Sequence, residues 1–245
     1  MSVRTLSMLV LGASLATCFA APAGATTLAF AGYTWEVRTG QGGPGPNRWN
    51  AANAWVDTAG AMHLRMSKIN GFWQCAEVYL DQRLGFGTYE FNVTGPIDQL
   101  DKNVVLGLFD YPTADVGPDG TNEIDIEFSH WGNADNPIGN YTVWPAVAGI
   151  QPWSRAFPFT LTSNSTTQRF VWAADSIAFH MYKSIPAPAG AGFIHWTYRP
   201  ASKPASHIPQ QPLPVHMNLW LFQGKAPANG QSVEIVINGF HFTPQ

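Results

Sequence analysis

Three carboxylic acids alternate with apolar residues in one short stretch, Glu123-Ile124-Asp125-Ile126-Glu127-Phe128. Successive side chains of a β-strand point to opposite faces, so Glu123, Asp125 and Glu127 share one face and the apolar side chains share the other. Neighbouring acids on that face have Cα atoms roughly 6.6 Å apart, and no Lys or Arg alternates with them to neutralise the row. The stretch predicts a strand that has one face in the core and an acidic face in a cleft.

The plain alternative is a half-exposed strand whose polar face happens to be acidic. However, the chain has only 16 acidic residues, and a structural role does not require three of them in so short a stretch. Hydrolysis of a glycosidic bond uses a carboxylate and a protonated carboxylic acid, and mutual repulsion in a row of acids keeps one of them protonated near neutral pH. The row therefore indicates glycoside hydrolysis.

The spacing sets one geometric condition on that chemistry. The Cα atoms of Glu123 and Glu127 lie roughly 13 Å apart on an extended strand, whereas retaining hydrolysis needs carboxyl groups roughly 5 to 5.5 Å apart. Both side chains must therefore lean inward across Asp125.

Short runs rich in Val, Ile, Phe, Tyr and Trp recur between Gly, Pro, Asn and Asp clusters, and no apolar pattern of helical period is sustained. These signals predict an all-β fold, an antiparallel sandwich. Loops are expected at Gly40 to Asn47 and at the Pro-rich stretch Ile185 to Pro214. The clearest strand signals are Ala61 to Met66, Ala76 to Leu80, Gly87 to Thr94, Val104 to Tyr111 and Val233 to Phe242.

The first 25 residues predict a signal peptide. Arg4 supplies a basic start, Leu6 to Ala21 are mostly apolar, and Ala23-Gly24-Ala25 fits a small-residue cleavage site. A membrane anchor is the alternative, but polar residues interrupt the apolar stretch and no later segment is long enough to span a bilayer. Cleavage would leave one domain, residues 26–245, secreted to the extracellular space or the periplasm.

The composition argues against several kinds of partner. The chain has 13 basic and 16 acidic residues without a Lys/Arg cluster, so nucleic acid is not expected. Only 12% of residues are charged, whereas the chain holds 10 Trp, 15 Phe and 7 Tyr, which suits neutral sugar rings. No His or Cys pattern indicates a metal, and no cofactor is expected. Cys75 stays unpaired if Cys18 leaves with the signal, although a faint lipoprotein-like pattern before Cys18 leaves lipidation open.

Several motifs together resemble those of glycoside hydrolase family 16, in particular its lichenase-like members. The acid stretch matches the E-I-D-I-E-F motif of that group, without an inserted residue. The resemblance covers most of Trp35 to Phe242 and implies a β-jelly-roll sandwich of two antiparallel sheets, with a substrate cleft on the concave face. Four further motifs occur in the family's order: Cys75-Ala76-Glu77, Gly85 to Glu90, Phe109 to Tyr111 and Met217-Asn218-Leu219-Trp220.

The resemblance also implies a role for each acid. Glu123 corresponds to the nucleophile of a glycosyl-enzyme intermediate, Glu127 to the general acid and base, and Asp125 to an assisting acid. The activity would be retaining endo-hydrolysis of β-1,3-1,4- or β-1,3-linked glucan, by a chain expected to be a monomer. Residues similar to the family's sugar contacts are Glu77, Phe109, Asn140, Asn218 and Trp220, and Trp131 is a further candidate for the cleft.

The chain departs from its lichenase-like relatives at four places. Tyr79 stands where they often carry an Arg, and Cys75 lacks the N-terminal cysteine that bridges it in them. A Pro-rich insertion follows Met181 to Ser184 in place of an Asp-Gly turn. Asn238 stands where an Asp helps to hold a structural calcium ion, so a calcium site is left open rather than expected.

Two alternatives to a hydrolase stay open. A non-catalytic carbohydrate-binding jelly roll would usually have lost one of the acids, and all three are present here. A transglycosylase acting on xyloglucan-type or other β-glucan would use the same acids with a sugar hydroxyl in place of water, and the sequence does not separate it from a hydrolase.

Overall fold

A computed structural model describes residues 26–245 of the chain, so the predicted signal peptide lies outside the described residues. Residues 26–245 form two large antiparallel β-sheets, and the predicted all-β sandwich is confirmed. No helix in this part of the chain is long and apolar enough to cross a membrane.

The strands follow one another closely, because turn-forming residues interrupt the apolar runs every few residues. One short helix, α1 (Pro204–His207), lies among them. The strands of the described residues are β1 (Thr27–Phe30), β2 (Tyr33–Val37), β3 (Gly40–Gly42), β4 (Asn47–Trp49), β5 (Ala54–Val56), β6 (Met62–Ile69), β7 (Phe72–Gln74), β8 (Ala76–Leu84), β9 (Gly87–Thr94), β10 (Val104–Asp110), β11 (Glu123–Phe128), β12 (Gly139–Trp144), β13 (Trp153–Phe157), β14 (Ser165–Ala173), β15 (Ser176–Tyr182), β16 (Ile194–Tyr198), β17 (Leu213–Leu221) and β18 (Val233–Pro244).

Two sheets, which we call the front sheet and the back sheet, contain most of these strands. The front sheet has the order β1-β2-β8-β17-β10-β11-β12-β13, and the back sheet has the order β16-β15-β14-β9-β18-β6-β5, with β7 beside β6. β17 returns from the C-terminal part of the chain to pair with both β8 and β10. The acid strand β11 therefore lies inside the front sheet, with paired strands on both sides.

Alternation along β11 explains which way its acids face. Ile124, Ile126 and Phe128 are all fully buried between the sheets. Aromatic contacts cross from one sheet to the other, because Tyr141 of β12 stacks on Phe179 of β15 with ring centroids 4.6 Å apart. The apolar face of the front sheet thus packs on the back sheet, and the acids point to the outer face of the front sheet.

The strand predictions agree with the structure to within a few residues, whereas the two loop predictions are wrong in part. Gly40 to Asn47 begins with β3 and ends at the start of β4, which pair as a small hairpin. The stretch Ile185 to Pro214 contains β16, α1 and the start of β17. β16 is an edge strand that pairs only with β15, so its short alternating pattern is hidden among the prolines around it.

Cys75 is the one cysteine of residues 26–245, and its thiol is free and fully buried. Its Sγ donates a hydrogen bond to Asn47 Oδ1 over 3.3 Å. The Asn47 amide in turn donates to the backbone carbonyls of Pro44 and Leu221. This network holds the 43–47 segment against the end of β17, where both border the cleft.

Candidate active site

The three acids lie in three adjacent rows that run across the front sheet, perpendicular to its strands. β11 pairs with β10 on one side and with β12 on the other, and this register fixes the neighbours of each acid. Glu123 pairs with Trp144, Asp125 pairs with Phe109 and Thr142, and Glu127 pairs with Gly107 and Asn140.

The acidic face opens on a cavity of about 610 Å³. Asn140 is the one predicted sugar contact that does not line this cavity, and its Oδ1 accepts a hydrogen bond from Thr142 Oγ1 over 2.8 Å. The structure brings together the other predicted site residues in the wall of this cavity, namely Glu123, Asp125, Glu127, Glu77, Phe109, Trp131, Asn218 and Trp220.

Burial raises the pKa of all three acids well above the usual value for a carboxyl group. Asp125 is only 3% exposed, and its Oδ2 accepts a hydrogen bond from Trp144 Nε1 over 2.8 Å. The charge of each acid also raises the pKa of a neighbour: Glu127 acts on Glu123, Glu123 on Asp125, and Asp125 on Glu127. The row therefore keeps protons at a pH where exposed carboxyl groups are ionised.

One interaction distinguishes the two outer acids. A hydrogen bond between the Glu123 and Asp125 side chains opposes the effect of burial on the pKa of Glu123 and adds to it on Asp125. That pattern fits a protonated Asp125 that donates to an ionised Glu123. Burial and the Asp125 charge both raise the pKa of Glu127, and no hydrogen bond lowers it. Of the two outer acids, Glu123 is the one whose ionised form is assisted.

A fourth acid, Asp110, lies behind the acid strand inside the core. It is fully buried, and its Oδ1 accepts the backbone N–H of Ile124, between Glu123 and Asp125, over 2.8 Å. Its Oδ2 has no hydrogen-bond partner among the described residues. Burial, with the nearby Asp125 charge, raises the pKa of Asp110 well above its usual value. Asp110 is thus a neutral anchor for the start of β11.

Gly107 leaves a gap in the cavity floor between Asn218 and Glu127. The three residues share one row, since Gly107 pairs with Asn218 of β17 and with Glu127 of β11. A Cβ atom at Gly107 would lie 2.5 Å from Asn218 Oδ1 and 3.3 Å from Phe109 Cδ1. Asn218 Oδ1 is buried and has no hydrogen-bond partner in residues 26–245. An acceptor is therefore held beside Glu127 only because position 107 has no side chain.

Glu77 is bound on both sides by basic side chains. Its Oε2 accepts a hydrogen bond from Arg38 Nη1 over 2.7 Å, and its Oε1 lies 3.0 Å from His216 Nδ1. Burial by itself raises the pKa of Glu77, but the hydrogen bonds and charges of His216 and Arg38 outweigh it and hold that pKa below its usual value. Glu77 is therefore an ionised carboxylate in the wall of the cavity.

Two groups of aromatic rings line the cavity. In one group His216 stacks between Tyr79 and Phe109, with ring centroids 5.2 and 5.1 Å apart. In the other group Trp131 meets Trp220 edge to face, at 6.3 Å. Trp131 has a φ of 51°, a left-handed conformation that costs a non-glycine residue of the order of 1 kcal/mol. Trp131 and Gly132, both with positive φ, form the turn that places the Trp131 ring beside Trp220.

The cavity contains residues that the sequence did not single out as site residues. Trp144 follows the acids at the end of the next strand, so its pairing with Glu123 could have been proposed from alternation. No local signal marks Arg38 and His216, which come from segments distant in the sequence, and Asp119 was not singled out although it lies four residues before Glu123. Tyr79 and Tyr111, which the sequence analysis named without a role in the cleft, also line the cavity. Within residues 26–245, no group of three or more His, Cys, Asp or Glu side chains is arranged to hold a metal ion.

Solved structures of β-glucanases share this fold. A β-glucanase of Bacillus licheniformis has a TM-score of 0.64 at 23% identity, over 91% of this chain and 99% of that one. A GH16 protein of the Bacteroides ovatus mixed-linkage glucan PUL, in complex with a G4G4G3G product, has a TM-score of 0.64 at 14% identity, over 85% and 94%. A pseudo β-1,3-glucanase of Mycobacterium tuberculosis has a TM-score of 0.64 at 18% identity, over 86% and 91%.

No model of a protein family matches the sequence, and no curated protein is similar to it in sequence. The structural likeness nevertheless extends over most of this chain and nearly all of each of the three structures. The chain therefore has the β-jelly-roll fold of glycoside hydrolase family 16 β-glucanases, as its lichenase-like motifs predict.

Proposed function

We propose that the chain is a retaining endo-β-glucanase that hydrolyses β-1,3-1,4- or β-1,3-linked glucan. One observation carries the proposal: three carboxyl groups from alternate positions of one strand line a single cavity of about 610 Å³ together with two groups of aromatic rings. Paired carboxyl groups perform glycoside hydrolysis, and aromatic rings bind the faces of sugar rings. The fold shared with β-glucanases supports the same conclusion.

The two outer acids would have different roles in a double displacement. Glu123, whose ionised form the hydrogen bond with Asp125 assists, attacks the anomeric carbon and forms a glycosyl-enzyme intermediate. Glu127, whose pKa is raised without any opposing hydrogen bond, donates a proton to the leaving glycosidic oxygen. Glu127 then takes a proton from water, which attacks the intermediate and releases the sugar with its original anomeric configuration.

Asp125 would assist both steps without bonding to the sugar. Trp144 Nε1 donates to Asp125 Oδ2, which fixes the orientation of the carboxyl group between the two outer acids. As Glu123 loses its charge on forming the intermediate, the hydrogen bond that favoured its ionised form weakens. The proton of Asp125 then interacts less strongly with Glu123. The remaining negative charge can be redistributed among the three acids while Glu127 acts as base.

The remaining predicted contacts would orient the glucan chain. Phe109, Trp131 and Trp220 offer ring faces or edges to pyranose rings, and Asn218 offers its buried Oδ1 to a sugar hydroxyl beside Glu127. Asn140 lies outside the cavity but next to Glu127, and stays a predicted contact for a sugar bound beyond it. None of these steps requires a cofactor.

The proposal extends to the processing of the chain. Residues 1–25 would act as a signal peptide, and residues 26–245 as one monomeric catalytic domain outside the cytoplasm. N-terminal sequencing of the exported protein would test this, with Thr26 expected as its first residue.

The function is tested with the purified chain on barley β-glucan, laminarin and xyloglucan, with reducing-sugar release as the readout. We expect turnover of barley β-glucan or laminarin, and a loss of at least about 1,000-fold in Glu123→Gln, because the amide cannot act as the nucleophile. Glu234→Gln, which changes a carboxylate on the back sheet, serves as the control with unchanged turnover. Proton NMR of the first products should show retained configuration.

Two further outcomes separate the alternatives. Glu123→Ala with azide should regain turnover and give an inverted glycosyl azide, because a small anion can occupy the space of the lost carboxylate. Binding of glucan without any turnover by the unmodified chain would instead make it a non-catalytic carbohydrate-binding protein. Longer products in place of shorter ones would identify a transglycosylase.

A further inference from the structure

Both oxygens of the Glu77 carboxylate already have a basic partner. Oε2 is taken by Arg38 and Oε1 by His216, and the residue is only 4% exposed. A carboxylate that is already paired on both sides gains little from a sugar hydroxyl, which would have to displace a charged partner. All three residues line the cavity, but the two partners of Glu77 are more exposed there than Glu77 itself.

Arg38 is held rigidly in the wall of the cavity. Its guanidinium lies 4.4 Å from the centre of the Trp49 ring, and one of its nitrogens is paired with Glu77. Its backbone N–H also donates to the carbonyl of Glu77 over 3.0 Å. The side chain keeps 31% of its surface exposed, so its remaining N–H groups are available to a ligand.

His216 presents one ring nitrogen to the same part of the cavity. Its ring is fixed between Tyr79 and Phe109, and its Nδ1 faces Glu77. An ionised Glu77 can only accept, so Nδ1 carries the proton of this hydrogen bond and Nε2 is the ring nitrogen left for a ligand. Nε2 has no hydrogen-bond partner among residues 26–245, and His216 lines the cavity.

We infer that Arg38 and His216 are specificity-determining contacts for a glucose unit of the glucan, and that Glu77 is a positioning residue that holds both. This inference rests on the proposed function. Arg38 supplies N–H donors and His216 supplies Nε2, which suits a pair of adjacent sugar hydroxyls, since a hydroxyl can both donate and accept. A sugar without one of those hydroxyls would leave a fixed polar group unpaired, which discriminates strongly against it.

Arg38 also supplies a guanidinium near Glu77, where the resemblance leads us to expect a different arginine. The lichenase-like relatives often carry an Arg two residues after this Glu on the same strand, and the chain has Tyr79 there. Arg38, directly after β2, supplies a guanidinium to Glu77 instead, and Tyr79 stacks on His216.

The test uses Arg38→Met, His216→Phe and Glu77→Gln, which keep the approximate shape of each side chain. The expected result is a 10- to 100-fold rise in KM for barley β-glucan, with kcat changed less than about threefold, because the lost hydrogen bonds involve charged groups away from the acids. Combining Glu77→Gln with Arg38→Met should add little to either change alone, because Glu77 acts through Arg38.

Matched controls are present elsewhere in the chain. Arg48→Met removes an arginine that lies 4.2 Å from the Phe72 ring but is not in the cavity wall. His63→Phe removes a histidine of the back sheet that stacks on Trp55 and contacts the carboxylates of Asp57 and Glu234. Both controls should leave KM unchanged. An unchanged KM in Arg38→Met and His216→Phe, or a Glu77→Gln variant that loses thermal stability alone, would overturn the inference.

Calorimetry separates this inference from the proposed function. A mixed-linkage gluco-tetrasaccharide is titrated into Glu123→Gln, and into the same variant with Arg38→Met or His216→Phe. Binding that weakens about 10-fold or more supports the inference, even if the unmodified chain cleaves none of the glucans and the proposed function fails. Equal binding by all three proteins overturns the inference while leaving the glucanase proposal intact.

Discussion

At the scale of single residues, the acids of this protein are defined by what surrounds them. Asp110 shows this most clearly, because it is fully buried and has one hydrogen bond, from the N–H of Ile124. Its folded-state pKa is raised well above its unfolded value by burial. At neutral pH the unfolded chain therefore releases a proton that the folded chain keeps, and this linkage destabilises the fold as pH rises.

Asp110→Asn should remove that dependence. Asn keeps an oxygen for the Ile124 N–H but does not titrate, so the stability of the variant relative to the unmodified chain should improve between pH 4 and pH 7. Relative to the unmodified chain, the variant should gain about 1.4 kcal/mol of unfolding free energy for each pH unit in this range that lies below the folded-state pKa of Asp110. Urea denaturation at several pH values measures it, with pH 4 as the reference, at which the Asp110 carboxyl of the folded chain is protonated. Parallel stability curves would show that Asp110 is ionised in the fold.

The sequence could predict the acids but not the residues that hold Glu77. Glu123, Asp125 and Glu127 lie close together in sequence, and the period of a strand alone places them on one face. Arg38 and His216 contact Glu77 across separations of 39 and 139 residues. Such contacts depend on the order of strands in the sheet, which places β2 and β17 on either side of β8 and which no local pattern specifies.

At the scale of elements, β10 shapes the floor of the cavity because it has a glycine, which lacks a side chain, in its middle. Strand propensity disfavours glycine within a strand, and Gly107 lies in the middle of β10. Its missing side chain leaves the space that Asn218 Oδ1 occupies beside Glu127. Glycine at position 107 thus lowers the stability of the strand but permits this shape of the site.

Gly107→Ala should lower kcat/KM by about 10-fold or more while leaving the chain folded. The added Cβ would lie 2.5 Å from Asn218 Oδ1, so the Asn218 side chain must move away from Glu127. Gly85→Ala is a matched control, because its Cβ would meet only Pro212 Cγ, at 3.7 Å, an ordinary contact. Steady-state kinetics and circular dichroism of both variants give the comparison. Wild-type kinetics in Gly107→Ala would show that Asn218 does not act at the site.

Element boundaries also show where sequence patterns fail. β9, at Gly87–Thr94, was predicted at both ends, because it lies within the back sheet and buries a complete alternating face. β16 was missed, although Ile194, Trp196 and Tyr198 alternate with polar residues. An edge strand buries less and pairs only once, so its signal is weak beside the proline-rich segments that flank it.

At the scale of the whole molecule, the two sheets are joined by side-chain packing, because the one cysteine of the described residues is free. The stacked pair Tyr141 and Phe179 and the edge-to-face pair Trp35 and Phe240 each join one sheet to the other. Rings of this size bury the largest areas in a core, so these contacts take the place that a disulfide has in many exported domains.

Phe179→Ala should reduce the free energy of unfolding by about 3–5 kcal/mol, because it removes a fully buried ring between the sheets. In a domain of this size that corresponds to a fall in Tm of roughly 10 °C. KM at 25 °C should not change, since Phe179 lies on the back sheet, away from the cavity. Phe193→Ala, at a position that is 40% exposed, is the control and should lower Tm by only a few degrees.

The buried thiol of Cys75, beside the cavity, affects how the domain withstands oxidants. Burial raises the pKa of Cys75 to about 12, so at pH 7 only about one molecule in 100,000 carries the reactive thiolate. Oxidants, metals and other thiols attack the thiolate, and none of them can reach a side chain with no exposed surface. Once folded, residues 26–245 can therefore persist in an oxidising medium with no thiol open to pairing between molecules.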